Sequence, residues 1–272
     1  MRHFILNSNV LFMLDTITPV ILTFNEAPNI GRTLQRLHWA REIVVVDSFS
    51  SDTTKLIAQS FKQVRFFERV FDTHATQWNF AIQETGIKTA WVLALDADFL
   101  LGPSIIEELK CLNVVAGVSA YAAQFDYAVW GTVLPGTAYP AVSVLFDKSY
   151  SRYIQDGHTQ RLHTDKKTVM LKNRIVHDDR KPMSHWVDAQ KKYSILEVHK
   201  MLSIPDRQLS MVDRIRKTLL FAPVLMFFYC YIVKGAWRKG WKGLFYAGQR
   251  LLVELMLALF LIEKKFNKDK PD

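Results

Sequence analysis

Cysteine is almost missing from this chain of 272 residues: Cys111 and Cys230 are the only two. Their scarcity excludes a disulfide framework and a thiolate zinc site of paired spacing, and it fits a reducing compartment. Low-complexity tracts and internal repeats are also absent, which excludes a solenoid or a linker array. Near the N-terminus, Arg2 is followed by short apolar pieces. Asp15 interrupts them and no small-residue cleavage site comes next, so no signal peptide is expected.

Acidic charge is scarce at one end. Residues 1–198 carry 21 Lys/Arg against 20 Asp/Glu, whereas residues 199–272 carry 14 against 6, so the tail holds nearly all of the net charge of +9. A nucleic-acid-binding domain gathers its basic residues on one face or groove. Here they alternate with apolar runs, a pattern suited to anionic lipid headgroups, where each Lys or Arg contributes about 1 kcal/mol. The expected partner is an anionic membrane surface and no nucleic acid. With 49% hydrophobic and 22% charged residues, the chain has the composition of a folded protein, long enough for one α/β domain and an appendage.

What is present alternates strand and helix from Thr16 onward. Pro19–Phe24 reads as a buried strand, with Pro28 opening a helix to about His38; Glu42–Asp47 is a second strand, and Ser51–Thr54 caps a helix to about Phe61. A strand near Val64–Glu68, a helix at Ala75–Glu84 and the near-continuous apolar run Ala90–Leu95 repeat the unit. After a helix at Pro103–Lys110, Tyr121–Val129 and Ala141–Phe146 read as strands, His185–Met201 as a helix, and Pro205 as a boundary. Strands joined by such helices form a mostly parallel sheet with helices on both faces, and ligands gather beyond the carboxyl ends of its strands. Asn25, Asp47, Asp96 and Asp98 fall there.

Asp96-Ala97-Asp98 places two carboxylates at the end of a buried strand, suited to a hard divalent cation that keeps positions open for diphosphate oxygens. Thr23-Phe-Asn-Glu26, then Val45-Val-Asp47 with Ser51-Asp52-Thr53, then Leu95-Asp-Ala-Asp98 stand in an order that resembles glycosyltransferase family 2 over residues 16–110. The resemblance implies a GT-A fold and a nucleotide-diphosphate-sugar donor. It implies that the strand-end Thr23, Asn25 and Glu26 hold the nucleoside, that Asp47 with Asp52 meets the base, and that Asp96 and Asp98 hold ribose and metal (Mg2+ or Mn2+). Asn79 is the expected donor-side amide in Thr76-Gln-Trp-Asn79, where Gln77 stands in place of the family's basic residue; Trp78 is expected in the core.

Farther on, Trp130-Gly131, Gln155–Gln160 and His177-Asp-Asp-Arg-Lys-Pro182 resemble the members of that family that build lipopolysaccharide cores. Inverting transfer of a hexose needs one base, for which Asp156 is the candidate and Asp126 and Asp178 the competitors. His177 is a candidate third metal ligand through a neutral imidazole nitrogen, and Arg180 with Lys181 would offset the departing diphosphate. Competing readings are a sugar nucleotidyltransferase and a catalytically dead membrane adaptor. Asn25–Asn29, which is not a glycine-rich basic loop, argues against the first, and the retained carboxylates argue against the second.

Residues 1–15 are expected to be an extension, 16–204 the catalytic domain and 205–272 a membrane-associating helical hairpin. Leu219–Val233 is an apolar run of 15 residues and Leu251–Ile262 a second one broken by Glu254. A helix of the first run would be about 22 Å long against a hydrocarbon core of about 30 Å, so a dipping hairpin is expected at the cytoplasmic face of the inner membrane. Trp237 and Trp241 among Arg238, Lys239 and Lys242 give the composition of a headgroup interface. The alternative is a hairpin packed on the catalytic domain. The expected acceptor is a glycolipid or a lipopolysaccharide core.

Overall fold

The computed structural model describes residues 13–136, 139–156, 159–219 and 221–266, without the side chains of 156 and 159. Of the expected N-terminal extension, only a 3-10 turn at Met13–Thr16 lies within them, its Met13 and Leu14 packed on the core. Strands β1 (Ile17–Thr23), β2 (Ile43–Asp47), β3 (Val64–Glu68) and β4 (Trp91–Asp96) pair in parallel in the order β3-β2-β1-β4. Pro19 sits in a central strand because β2 joins β1 only from Val20, leaving β4 as the sole neighbour where the proline lacks its N–H.

The sheet continues through β8 (Val142–Asp147), β6 (Val118–Val129), β11 (Lys167–His177) and β5 (Phe99–Leu100). β8 runs antiparallel between β4 and β6, β11 is again parallel to β6, and β5 closes the edge antiparallel to β11. A short β7 (Thr132–Val133) folds back on β6. The sequence reading had no counterpart for β5, β7, β11 or the two-stranded hairpin of β9 (Ser151–Asp156) and β10 (Thr159–Thr164).

Alternation along the strands makes two cores. Ile21 and Val45 face one side, with Ile30 and Leu34 of α1 (Ile30–Gln35), Ala58 of α2 (Thr54–Gln59) and Ile105 and Leu109 of α4 (Pro103–Lys110). Val20, Val44 and Val46 face the other, against Ala75, Trp78, Ala81 and Ile82 of α3 (His74–Gln83). Both faces are thus covered, which is why these strands read as continuous apolar runs. Trp78 is 2% exposed, stacked 5.3 Å from Tyr153 of β9.

The tail is a helical hairpin, and it packs on the domain. α7 (Phe221–Phe228) runs on through a π-helical stretch at Tyr229–Val233, and α8 (Gly240–Phe266) returns as one helix of 27 residues. Cys230, Tyr246 and Ala247 share a cluster with Val129 and Leu134, while Leu257 and Leu261 share one with Val198 and Met201 of α5 (Met183–Ser203). Gly243 lets α8 begin against Ala236, since a Cβ there would lie 1.8 Å from the Ala236 carbonyl oxygen. Glu254, 2% exposed, is held by two guanidinium contacts from Arg216 of α6 (Met211–Arg216), at 2.8 and 3.0 Å.

Removing one member of a buried ion pair leaves its partner without compensation. Glu254→Ala is expected to lower stability by about 3 kcal/mol in urea denaturation. Lys55→Ala, which breaks the exposed pair with Glu68, should change it by less than about 1 kcal/mol.

Candidate active site

At the carboxyl end of β1 the chain turns through Asn25, whose left-handed φ of 53° an asparagine tolerates. The turn is tied to the loop after β2 by side chains. Ser50 Oγ accepts from the Asn25 amide at 2.7 Å, Asn25 Oδ1 accepts from the Ser51 amide at 2.9 Å, and Thr54 Oγ1 accepts from the Glu26 amide at 2.8 Å. Asp52 accepts from the Thr54 hydroxyl and from the amides of Thr54 and Ala27, and against a desolvation cost these bonds hold its carboxyl below the usual range. Asp47 is 1% exposed and accepts from Thr23 Oγ1, Ser50 N and Ser50 Oγ at 2.6–2.7 Å. Its carboxylate is thus spent on the loop it shapes and is not open to the cleft. Between the two loops lies an open cleft of about 310 Å³, lined by Asn25, Ala27, Asp52, Lys181 and His185 among others.

At the carboxyl end of β4, beyond the cleft lining, stands Asp96-Ala-Asp98. Asp96 is surrounded by protein yet its side chain remains open to solvent. Burial, with Asp98 adding to it, pushes the Asp96 carboxyl up to about 6. Asp98 is 8% exposed and one of its oxygens lies 3.0 Å from His177 Nε2. Backbone pairing makes this contact: β5 sets Phe99 opposite His177, and the Asp178 amide donates to the Asp98 carbonyl. Against burial, His177 holds the Asp98 carboxyl low, and Asp98 in turn raises the imidazole. The second oxygen, Asp98 Oδ1, is buried without a hydrogen-bond partner, as is His177 Nδ1. Around the imidazole stand Phe99, Tyr127 and Tyr139, with ring centroids 4.9–5.4 Å away.

A charged strap crosses from β11 to α1. Asp178, 2% exposed, accepts from Arg32, Arg180 and the Gly131 amide at 2.8–3.2 Å. Asn29, fully buried, donates to Asp179 and Glu26 and accepts from Arg32 and the Arg180 amide. Lys181 closes the strap with a 2.5 Å bond to Glu26. Burial pushes the Glu26 carboxyl up to about 7 against the pull of Lys181, whose ammonium, opposed by the same burial, Glu26 keeps above the usual lysine range.

A family model described as glycosyl transferase family 2 matches residues 18–164. The chain belongs to that family. It is 24% identical over 270 residues to the lipopolysaccharide core biosynthesis glycosyltransferase LpsC of Rhizobium meliloti, covering 93% of this chain and 94% of that one. An uncharacterized glycosyltransferase of Rickettsia bellii is 32% identical over 108 residues, 39% of this chain and 36% of the other. Among solved structures, TarS of S. aureus superposes with a TM-score of 0.45 at 10% identity, covering 94% of this chain and 93% of that chain. Glucosyl-3-phosphoglycerate synthase of Mycobacterium tuberculosis, solved with Mn2+, UDP and phosphoglyceric acid, superposes with 0.41 at 13% identity, covering 71% and 80%. The sheet is mixed and not mostly parallel, its β3-β2-β1-β4 half parallel and its other half built around antiparallel β8, and with helices on both faces it is the GT-A fold.

Thr23, Asn25, Glu26, Asp47, Asp52, Asp96, Asp98, His177, Arg180 and Lys181 thus gather at the carboxyl ends of β1, β2, β4 and β11. Asn79 is directed elsewhere: both ends of its amide bond the Tyr153 backbone at 2.9 Å and dock β9 on α3. Asp156 closes β9 opposite Thr159. Its competitors are engaged, Asp126 by Arg174 at 2.5 Å and Asp178 by two arginines. Sequence reasoning missed Asn29, Arg32 and His185, whose signal is positional only, in the turn after β1 and beside Pro182.

Because Asn29 anchors the strap at four points, Asn29→Ala is expected to cost about 1–3 kcal/mol of stability. It should also speed amide exchange at residues 178–182 by tenfold or more, read by hydrogen–deuterium exchange. Unchanged exchange there would show that the Arg32–Asp178 and Lys181–Glu26 pairs hold the strap without Asn29.

Proposed function

We propose that this glycosyltransferase moves a hexose, with inversion, from a nucleoside-diphosphate-sugar to a glycolipid or lipopolysaccharide-core acceptor, with Mg2+ or Mn2+ at Asp98. The observation that carries the proposal is the buried, unpartnered Asp98 Oδ1 beside the open Asp96 carboxylate. Among the described residues no cluster of three His, Cys, Asp or Glu could hold a metal alone. That fits a hard cation held by one or two carboxylates and completed by substrate phosphates. When bound, the cation would neutralise charge on the leaving diphosphate. His177, 3.0 Å from Asp98, would orient that carboxylate and stand next to the ion.

The chain's own groups divide the remaining work. Asn25, Glu26 and Asp52 line or border the cleft for the nucleoside, and Thr23 with Asp47 fixes its walls. Lys181 and Arg180 bring positive charge over the diphosphate, each on a carboxylate that keeps it in place. Asp156, at the end of a hairpin held by Asn79 and Trp78, would take the acceptor proton. LpsC, similar along nearly its whole length, is named for lipopolysaccharide core biosynthesis, which supports that class of acceptor.

The tail would lie on the cytoplasmic leaflet. Phe221, Phe228, Val233, Trp237 and Trp241 are all at least half exposed, beside Lys234, Arg238 and Lys239. Residues Ala236–Phe266 are long and apolar enough to cross a bilayer by length and composition. However, Tyr246, Gln249 and Glu254 of α8 are buried against protein, which favours a helix lying at the interface.

Asp156→Asn is expected to bind donor as the wild type does and to turn over about a hundredfold more slowly. Weakened donor binding with unchanged turnover would move the base elsewhere. In flotation with vesicles containing phosphatidylglycerol, the wild type should float and be released by high salt, whereas Trp237→Ala/Trp241→Ala should float less. Equal flotation of both would remove the tail from the membrane.

A further inference from the structure

Around the active site nearly every cation has a counter-ion. Arg32 and Arg180 bond Asp178, Lys181 bonds Glu26, and Arg216 bonds Glu254. Arg250 of α8 is different. Its Nε is buried without a hydrogen-bond partner, and among the described residues no carboxylate pairs with its guanidinium. Glu254, one turn along the helix, is already taken by Arg216.

The face of α8 that carries Arg250 points toward the reaction centre. Tyr246, four residues earlier and therefore on the same face, is 5% exposed. Its ring lies 5.0 Å from that of Tyr127, which lies 5.0 Å from His177. Gln249, adjacent, reaches the sulfur of Met183 at 3.6 Å, next to the end of the charged strap. Burial and then Asp179 and Asp98 push the Tyr127 hydroxyl well above the tyrosine range, and Arg250 is the cation that opposes them.

The side of the site is defined by the sheet. The nucleoside cleft lies over β1 and β2, and Asp98 with His177 lies beyond it. Tyr127 and α8 stand farther out, on β6 and outside the sheet. Arg250 is half-buried, and its buried Nε without a hydrogen-bond partner is costly; the planar fork of a guanidinium suits phosphate or carboxylate oxygens. We propose that Arg250 is an anion subsite on the acceptor side of the cleft, and that the acceptor carries a phosphate or carboxylate group beside the hydroxyl that is glycosylated. The proposal rests on the sugar-transfer reading and names its acceptor class.

The full chain is tested by 31P NMR and calorimetry with two probes: inorganic phosphate, and a panel of UDP, GDP, ADP and CDP with Mn2+. In Arg250→Met, phosphate binding should weaken at least tenfold while the affinity for the preferred nucleoside diphosphate stays within twofold. Arg250→Lys, which keeps the charge, should fall between and guards against a misfolded variant. Equal phosphate binding by the wild type and both variants would overturn the subsite. A loss confined to the nucleoside diphosphate would assign the anion to the donor and overturn the acceptor assignment. Failure of every nucleoside diphosphate to bind the wild type would count against the sugar-transfer reading itself, and the phosphate arm would still decide whether Arg250 holds an anion.

Discussion

Two residue pairs of antiparallel ladder, Val176 with Leu100 and His177 with Phe99, determine where the charges of this molecule meet. They bring the end of β11, far along the chain, against the turn that follows β4. Asp98 and His177 touch as a result, and the next residues, 178–182, are delivered over the turn after β1. Everything downstream depends on that short pairing: the orientation of Asp98, the strap anchored by Asn29, and the position of Lys181 over the cleft. A parallel sheet alone would leave the carboxylates of β2 and β4 at separate strand ends. The edge strand sets His177 beside Asp98 and Lys181 beside Glu26, joining the turns after β1 and β4 in one electrostatic unit.

The strap is also where opposing energies are held in balance. Glu26, Asp98, Asp178 and Asp179 would repel one another in a partly dry site, and Arg32, Arg180, Lys181 and His177 offset them at hydrogen-bond distance. Such groups are costly to bury unless paired. The tail extends the same logic. Tyr246 packs on Tyr127, and Leu257 and Leu261 pack on α5, so α8 is joined to the rest of the molecule by buried contacts. Cutting the chain near Ile204 would uncover Val198 and Met201 as well as remove the outer apolar face.

The first half of the fold was legible because its signals are local. Continuous apolar strands covered on both faces, a proline at a helix start and carboxylates at strand ends are read directly from Ile17–Asp98. The strand Val64–Glu68 and the helix Pro103–Lys110 have the boundaries expected of them. The second half was less legible because its strands are half-covered and polar. In Lys167–His177 most side chains are exposed or only partly buried, so no apolar run marks β11. The β9–β10 hairpin showed itself only as the turn at Asp156-Gly157. Asn29 and Arg32 gave no signal, since their importance lies in partners about 150 residues away. The tail was foreseen as a hairpin, but α8 begins at Gly240, well before the apolar run that suggested it, with Gly243 against Ala236 and Tyr246 packed on Val129 and Leu134 of the domain.

The central claim is that Asp98, held by His177, is the point at which a divalent cation and the donor diphosphate meet. Manganese uptake measured by electron paramagnetic resonance tests it directly, with the full chain, Mn2+ and the nucleoside diphosphate that stabilises the protein most. The account predicts about one tightly bound Mn2+ per chain in the wild type and a loss of at least tenfold in affinity in Asp98→Asn, whose neutral amide is a poorer ligand for a hard cation. Equal manganese uptake by the wild type and Asp98→Asn would contradict it.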